Sequence, residues 1–228
     1  GADLAGIFEM QGNPLIKGFT TNPTLMRKAG VTDYENFARN LLSKVTELPV
    51  SFEVFADDFE DMERQARSIA TWGKNVNVKI PVMNTKGESS ENLISRLSND
   101  GIPLNVTAIM TTAQVETVTV ALNPDVPSIV SVFAGRVADT GIDPVPHMQA
   151  CLSIVKSNPK AELLWASPRE LLNIFQADDL GCHIITVTND VLAKLKIVGK
   201  DLKLYSKETV EMFYRDAQAS GFSIIQRS

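Results

Sequence analysis

The sequence predicts an α/β chain forming one domain over residues 1–228: a (β/α)8 barrel (TIM barrel) whose first strand is missing before residue 1. Three observations carry that expectation. Seven short apolar or β-branched runs recur along the chain, each followed by turn residues and then by a helical pattern. Their starts lie roughly 20 to 35 residues apart, the spacing that repeated βα units require. No glycine-rich dinucleotide fingerprint follows any of them, which weakens the open doubly wound alternative.

The strand candidates, in order, are "IKGFTTN" from 16, "VSFEVFA" from 50, "NVNVKIPV" from 75 and "PLNVTAIM" from 103, then "SIVSVFAG" from 128, "AELLWAS" from 161 and "CHIITVT" from 182. Helix signals lie between them. Asp57 and Asp58 can cap a helix whose apolar face carries Phe59, Met62, Ala66, Ile69 and Ala70, with Gly73 beyond its end. Thr111 with Gln114 and Ser167 with Glu170 have the capping-box spacing, and Pro168 suits a first helical position. Strands alternating with helices inside one domain imply a parallel sheet. The candidates fall one short of a closed barrel, and Gly1 sits in what reads as a turn into a helix, so the first strand is expected before Gly1.

Composition narrows the function classes. A formal net charge of −5 argues against a nucleic-acid partner, which needs a basic surface. No apolar run reaches the roughly 18 residues of a membrane span, and no signal peptide opens the chain. Cys151 and Cys182 have neither metal-type nor CxxC spacing, so reduced thiols and a cytoplasmic setting are expected. With two histidines and scattered carboxylates, no metal-ligand cluster is expected. His147, after two prolines, reads as a surface-loop residue, and His183 as a packed core histidine.

The chemistry is expected at the carboxyl ends of the strands, where inward-facing positions of a barrel alternate. Ser51 and Glu53 are polar residues two apart at such an end, as are Asn77 with Lys79 and Asn105 with Thr107. Ser131 and Phe133 repeat the spacing, with Gly135 and Arg136 just beyond. Lys79 lies where the strand pattern wants valine. An amine held among apolar groups keeps a neutral fraction that can attack a ketone and form a Schiff base. Glu53 is placed to move protons through a water held by Thr107. The alternative is a structural Lys79–Glu53 ion pair. Ser167-Pro168-Arg169, read as opening a helix, suits a phosphate, or else a plain cap with a solvated arginine. Arg136 is either a second phosphate cation or a salt-bridge partner of Asp139 or Asp143.

"GFTTNPTL", "SFEVFA", "VKIPV", "GIPLNVTAI", "SVFAGR" and "WASPRE", in this order, resemble the transaldolase family, in the small-subunit branch that also contains fructose-6-phosphate aldolases. The likeness runs over nearly the whole chain. It implies a (β/α)8 barrel enzyme of the non-oxidative pentose phosphate pathway. Such an enzyme transfers a dihydroxyacetone unit from sedoheptulose 7-phosphate to glyceraldehyde 3-phosphate, giving erythrose 4-phosphate and fructose 6-phosphate. By position in the motifs, Lys79 matches the Schiff-base lysine, and Glu53 with Thr107 the pair holding the catalytic water. Asn22, Ser51, Asn105 and Ser131 match residues around the dihydroxyacetone unit; Arg136, Ser167 and Arg169 match the phosphate-binding set. Sugar phosphates are the implied partners, no cofactor is implied, and the branch implies a pentameric or decameric homo-oligomer. The apolar C-terminal stretch "VEMFYRDAQASGFSII" is a candidate for packing on a neighbour or on its own barrel.

Glu53 and Phe133 follow the transaldolase pattern, where the aldolases resemble one another in having glutamine and tyrosine. The resemblance also implies a strand ending in an aspartate that takes the sugar hydroxyl proton. That residue would fall immediately before Gly1, whereas Asp3 matches a later, helical aspartate. The alternatives are a fructose-6-phosphate aldolase and a sugar-phosphate-binding barrel without catalysis.

Overall fold

The computed structural model describes residues 3–222 and 224. The chain divides into two compact units, Gly1–Thr188 and Asn189–Ser228. The first begins with helix α1 (Leu4–Met10), strand β1 (Phe19–Thr20), and helices α2 (Pro23–Lys28) and α3 (Tyr34–Leu42). Strands and helices then alternate through β2 (Val50–Glu53), α4 (Phe59–Ala70), β3 (Val76–Pro81), α5 (Glu91–Asn99), β4 (Leu104–Ile109) and α6 (Thr112–Ala121). After β5 (Ser128–Val132), α7 (Ala134–Asp139) and α8 (Pro144–Val155), the unit ends with β6 (Ala161–Trp165), α9 (Leu172–Leu180) and β7 (Ile184–Ile185).

All seven expected strands are present. Each pairs in parallel with the next in sequence, giving the order β1 to β7. Helices return the chain between successive strands. Sequential parallel winding of this kind is that of a (β/α)8 barrel. Among the described residues β1 and β7 have no strand between them, so the barrel is incomplete by one strand.

The two faces of the sheet differ in chemistry. Alternate residues Val50, Phe52, Val78, Ile80, Val106, Val132 and Trp165 belong to the main core with Leu41, Met62, Ile69, Leu97, Val118 and Met148 of the helices. The opposite face carries Ser51, Lys79, Asn105, Thr107 and Ser131, all buried. On β5 and β6 it also carries Ile129, Leu164 and Ala166, a small separate apolar cluster. A parallel sheet normally reads apolar on both faces. Here the polar set is confined to the inner face, where something other than packing selects it.

Local signals account for the helices that position this sheet. Asp58 caps α4 through Glu60 and Asp61 N–H, as expected, while Asp57 instead accepts from Thr85 N–H and its hydroxyl. Thr111 and Gln114 form the full capping box of α6. The expected cap at Ser167 does not form. Asn173 Oδ1 accepts from both Arg169 N–H (2.8 Å) and Glu170 N–H (3.1 Å), so the segment is held as a turn and α9 starts only at Leu172. His147 lies on α8 and not in a loop, because Pro144 and Pro146 fall in the first turn, where N–H groups have no helical acceptor. His183 is exposed and not packed in the core; its Nδ1 accepts from Leu163 N–H at 3.0 Å.

The second unit holds a one-turn helix α10 (Asn189–Leu192), a 3-10 helix (Ala193–Ile197) and α11 (Leu202–Ser220). Asp201 caps α11 through Leu204 N–H at 2.8 Å, and Gly221 ends it in the left-handed conformation. Val210, Phe213 and Tyr214 on it are exposed. Among the described residues no helix is long and apolar enough to cross a membrane.

Leu97 is fully buried between α5 and the sheet, whereas Val120 on α6 is 82% exposed. Leu97→Ala should therefore lose about 2–5 kcal/mol through lost contacts and the cavity left behind. Val120→Ala should stay within about 0.5 kcal/mol. Chemical denaturation of the two variants checks this ranking, and equal losses would contradict the assignment of the core.

Candidate active site

At the carboxyl ends of β1 to β7 a cavity of about 470 Å3 opens, a volume suited to a small organic molecule. Asn22, Glu53, Lys79, Asn105, Thr107, Ser131, Phe133, Arg136 and Ser167 all line it. Of the eleven residues given a catalytic or substrate-binding role from the sequence, nine thus converge on one cavity, Ser51 and Arg169 being the exceptions. Strand register explains the convergence. Lys79 stands beside Glu53 on one neighbour and Asn105 on the other, and Pro81 stands beside Thr107.

Lys79 lies in the cavity wall and is 7% exposed. Its Nζ donates to Glu53 Oε2 at 2.8 Å and to the Thr21 carbonyl at 3.1 Å. Burying an ammonium without partners costs several kcal/mol. These two acceptors meet that cost while leaving the amine at the cavity surface. Thr21 in turn is fixed to β2, its N–H and its hydroxyl both donating to the Ser51 carbonyl at 3.0 Å.

Beside the lysine, three side chains form one buried polar chain. Ser131 Oγ donates to Asn105 Oδ1 at 2.6 Å, and Asn105 Nδ2 donates to Ser51 Oγ at 3.0 Å. The chain crosses from β5 over β4 to β2 and pins the orientation of the Asn105 amide. Ser51 does not itself line the cavity and acts as the far anchor of this chain. Asn22 Oδ1 accepts from Leu25 N–H at 2.8 Å, capping α2, while the residue also lines the cavity.

Two backbone features shape the rim. The β4–β5 register shifts between Val106 and Ile109, and Ala108 takes φ of 61° there. A bulge of this kind re-aims side chains next to a site, and Thr107 and Ala108 both line the cavity. Ser167 also has a positive φ, 58°. Its carbonyl lies against Gly135, so close that a Cβ on Gly135 would fall 1.5 Å from Ser167 O.

The cation end departs from expectation in one respect. Arg169 does not line the cavity. Its guanidinium grips the Asp139 carboxylate through Nε (2.9 Å to Oδ1) and Nη2, and the arginine holds the Asp139 carboxyl below its usual range. Asp139, weighed as a partner for Arg136, therefore belongs to Arg169. Arg136 lines the cavity with its Cζ 5.6 Å from the Phe133 ring centroid.

Several site residues escaped the sequence reading: Thr20, Thr24 and Thr186 on the cavity wall, Thr21 beneath the lysine, and Tyr34 behind Glu53. Thr20 and Thr21 sit inside the "TTNP" motif and were within reach. Tyr34 sits on a helix 19 residues from Glu53 and carries no local signal. Asn77, paired with Lys79 in the sequence pattern, does not line the cavity.

Gly135→Ala should break the contact between the β5 and β6 turns, because the obstacle is backbone and cannot rotate away. A loss of about 1–3 kcal/mol in stability is expected from overpacking. Thermal unfolding measures it, and an unchanged midpoint would contradict the described approach of Gly135 to Ser167.

The sequence pattern described as Transaldolase/Fructose-6-phosphate aldolase matches residues 1–224. A protein of Dehalococcoides mccartyi named "Probable transaldolase" is 35% identical over 182 residues, 79% of this chain and 81% of that one. Another of the same name, from Thermoanaerobacter sp. strain X514, is 32% identical over 224 residues, 98% of this chain and 97% of that one. Among solved structures, dihydrodipicolinate synthase from Rhodopseudomonas palustris superposes with a TM-score of 0.55 at 14% identity, over 81% of this chain and 62% of that one, a likeness of fold alone. From the matched pattern and the near full-length relative, the chain is a member of the transaldolase/fructose-6-phosphate aldolase family.

Proposed function

We propose that the chain is a transaldolase of the Schiff-base type, acting in the cytoplasm within the non-oxidative pentose phosphate pathway. It would move a dihydroxyacetone unit from sedoheptulose 7-phosphate to glyceraldehyde 3-phosphate. The observation that carries the reading is the Lys79 amine in the cavity wall, hydrogen-bonded to Glu53 at 2.8 Å. Proton transfer from the ammonium to Glu53 frees a neutral amine to attack the donor ketone at C2. The same proton then returns, through Glu53 and a water beside Thr107, to the departing hydroxyl. The step turns ammonium and ketone into iminium and water with no net change at Glu53.

The iminium draws in the electrons of the C3–C4 bond as it breaks, the C4 hydroxyl gives up its proton, and an aldehyde leaves. Among the described residues Glu53 is the one carboxylate lining the cavity. The resemblance assigns the C4-hydroxyl proton to an aspartate at the end of a barrel's first strand, a position that none of the described residues between β7 and β1 fills. Ser131 and Asn105, anchored from behind by Ser51, form the polar wall suited to the hydroxyls of the bound three-carbon unit. Arg136 and Ser167 mark the phosphate end. Phosphate reaching Arg169 has to share that guanidinium with Asp139.

Phe133 favours transfer over release of free dihydroxyacetone. It lines the cavity with a ring that has no acid or base to offer a proton to the enamine, so the enamine persists until an aldehyde arrives. A homo-oligomer is part of the same reading, supported by the exposed apolar residues of α11.

The test is turnover of fructose 6-phosphate with and without erythrose 4-phosphate as acceptor. Product should form with the acceptor and fall by at least about tenfold without it, and Lys79→Met, which removes the amine and keeps the length, should abolish both rates. Activity retained by folded Lys79→Met would refute the mechanism, and turnover independent of acceptor would make the protein an aldolase.

A further inference from the structure

The ammonium of Lys79 has two acceptors, the Glu53 carboxylate at the end of β2 and the Thr21 carbonyl just past β1. One side chain touches both of the residues that supply them. Tyr34, the first residue of α3, accepts the Glu53 backbone N–H on its hydroxyl oxygen at 2.9 Å. The same oxygen lies 3.4 Å from Thr21 Oγ1. Because the Thr21 hydroxyl proton is already given to the Ser51 carbonyl, the phenol donates to Thr21 Oγ1. Both hydrogen-bonding capacities of the phenol are therefore spent on the two residues that hold the lysine.

The ring cannot turn away from this duty. Its centroid lies 4.5 Å from Phe55, 5.5 Å from Trp72 and 6.0 Å from Phe52, so the phenol is aimed by an aromatic cage between α3, β2 and α4. Neither the chemistry of the reaction nor the cavity lining requires it, since Tyr34 does not line the cavity.

We infer that Tyr34 is a positioning residue for Schiff-base formation, holding Glu53 and the Thr21 carbonyl at the separation that fits the Lys79 amine between them. The inference rests on the Schiff-base reading above. Burial pushes the Tyr34 hydroxyl up to about 12, so it stays a neutral phenol and exchanges no proton with substrate. Its effect belongs to the chemical step and not to substrate affinity, because it reaches the substrate only through the lysine and its partners.

The experiment compares kcat and KM of the full chain, Tyr34→Phe, Phe55→Leu and Lys79→Met, with fructose 6-phosphate as donor and erythrose 4-phosphate as acceptor. Tyr34→Phe keeps the ring and removes the hydroxyl, so kcat should fall about ten- to a hundredfold, the scale of a small misplacement of reacting groups. KM for the donor should stay within about twofold. Phe55 is half exposed at the outer edge of the cage, and in Phe55→Leu the rings of Phe52 and Trp72 still aim the phenol, so this variant should keep the parent kcat. A kcat for Tyr34→Phe within about twofold of the parent, or a loss confined to KM, would overturn the inference. An equal loss in Phe55→Leu would overturn it as well, assigning the effect to packing. Should Tyr34→Phe fail to fold by circular dichroism, the near-isosteric Thr21→Val removes the phenol's other bond together with the Thr21–Ser51 hydroxyl bond, and a kcat within about twofold of the parent would then overturn the inference. Lys79→Met separates the two levels. If it retains activity, the Schiff-base reading falls; if it is inactive while Tyr34→Phe matches the parent, only the role of Tyr34 falls.

Discussion

An amine buried in the middle of a parallel strand is the constraint on which the rest of this structure depends. Removing one partner of such an ion pair costs about 3–5 kcal/mol, so the fold around Lys79 must supply acceptors in fixed places. It does so with Glu53 from the adjacent strand and with the carbonyl of Thr21 just past the end of β1. Tyr34 and the Ser51 carbonyl complete the frame from behind. What a ketone meets at the cavity surface is then an amine with a proton acceptor in contact and no freedom to swing elsewhere.

The division of labour between the two faces of the sheet makes this possible. The helix-facing residues form one continuous apolar core, which carries most of the buried apolar side chains of the unit. The inner face is free to carry Ser51, Asn105, Thr107 and Ser131, each buried and, in the case of Ser51, Asn105 and Ser131, joined in a single hydrogen-bonded chain. Such a network rigidifies a site only when its members are satisfied. The bulge at Ala108 and the close approach of Gly135 to Ser167 then adjust the rim, where regular strand geometry would aim the chain ends elsewhere.

Much of this was legible in the sequence, and the reason is periodicity. The two-residue spacing of Ser51 and Glu53, or Asn105 and Thr107, is the pleat of a strand read directly, and parallel register carries such pairs to one end of the sheet. All seven strands followed from the same regularity. What was not legible depends on contacts distant in sequence. The expected helix start at Ser167-Pro168-Arg169 failed because Asn173 takes the Arg169 and Glu170 N–H groups, an event that capping spacing does not encode. Arg169 was expected at the phosphate end, and its grip on Asp139 arises from a partner thirty residues away. Tyr34 was invisible for the same reason.

The central claim is that Lys79 forms a covalent imine and that the bond beyond it then breaks. Borohydride reduction of the protein incubated with fructose 6-phosphate, followed by peptide mass spectrometry, tests it most directly. A reduced three-carbon adduct on the peptide containing Lys79 is the expected result. An unmodified Lys79 peptide from folded, substrate-saturated protein would contradict it and leave the lysine as a structural ion-pair partner of Glu53.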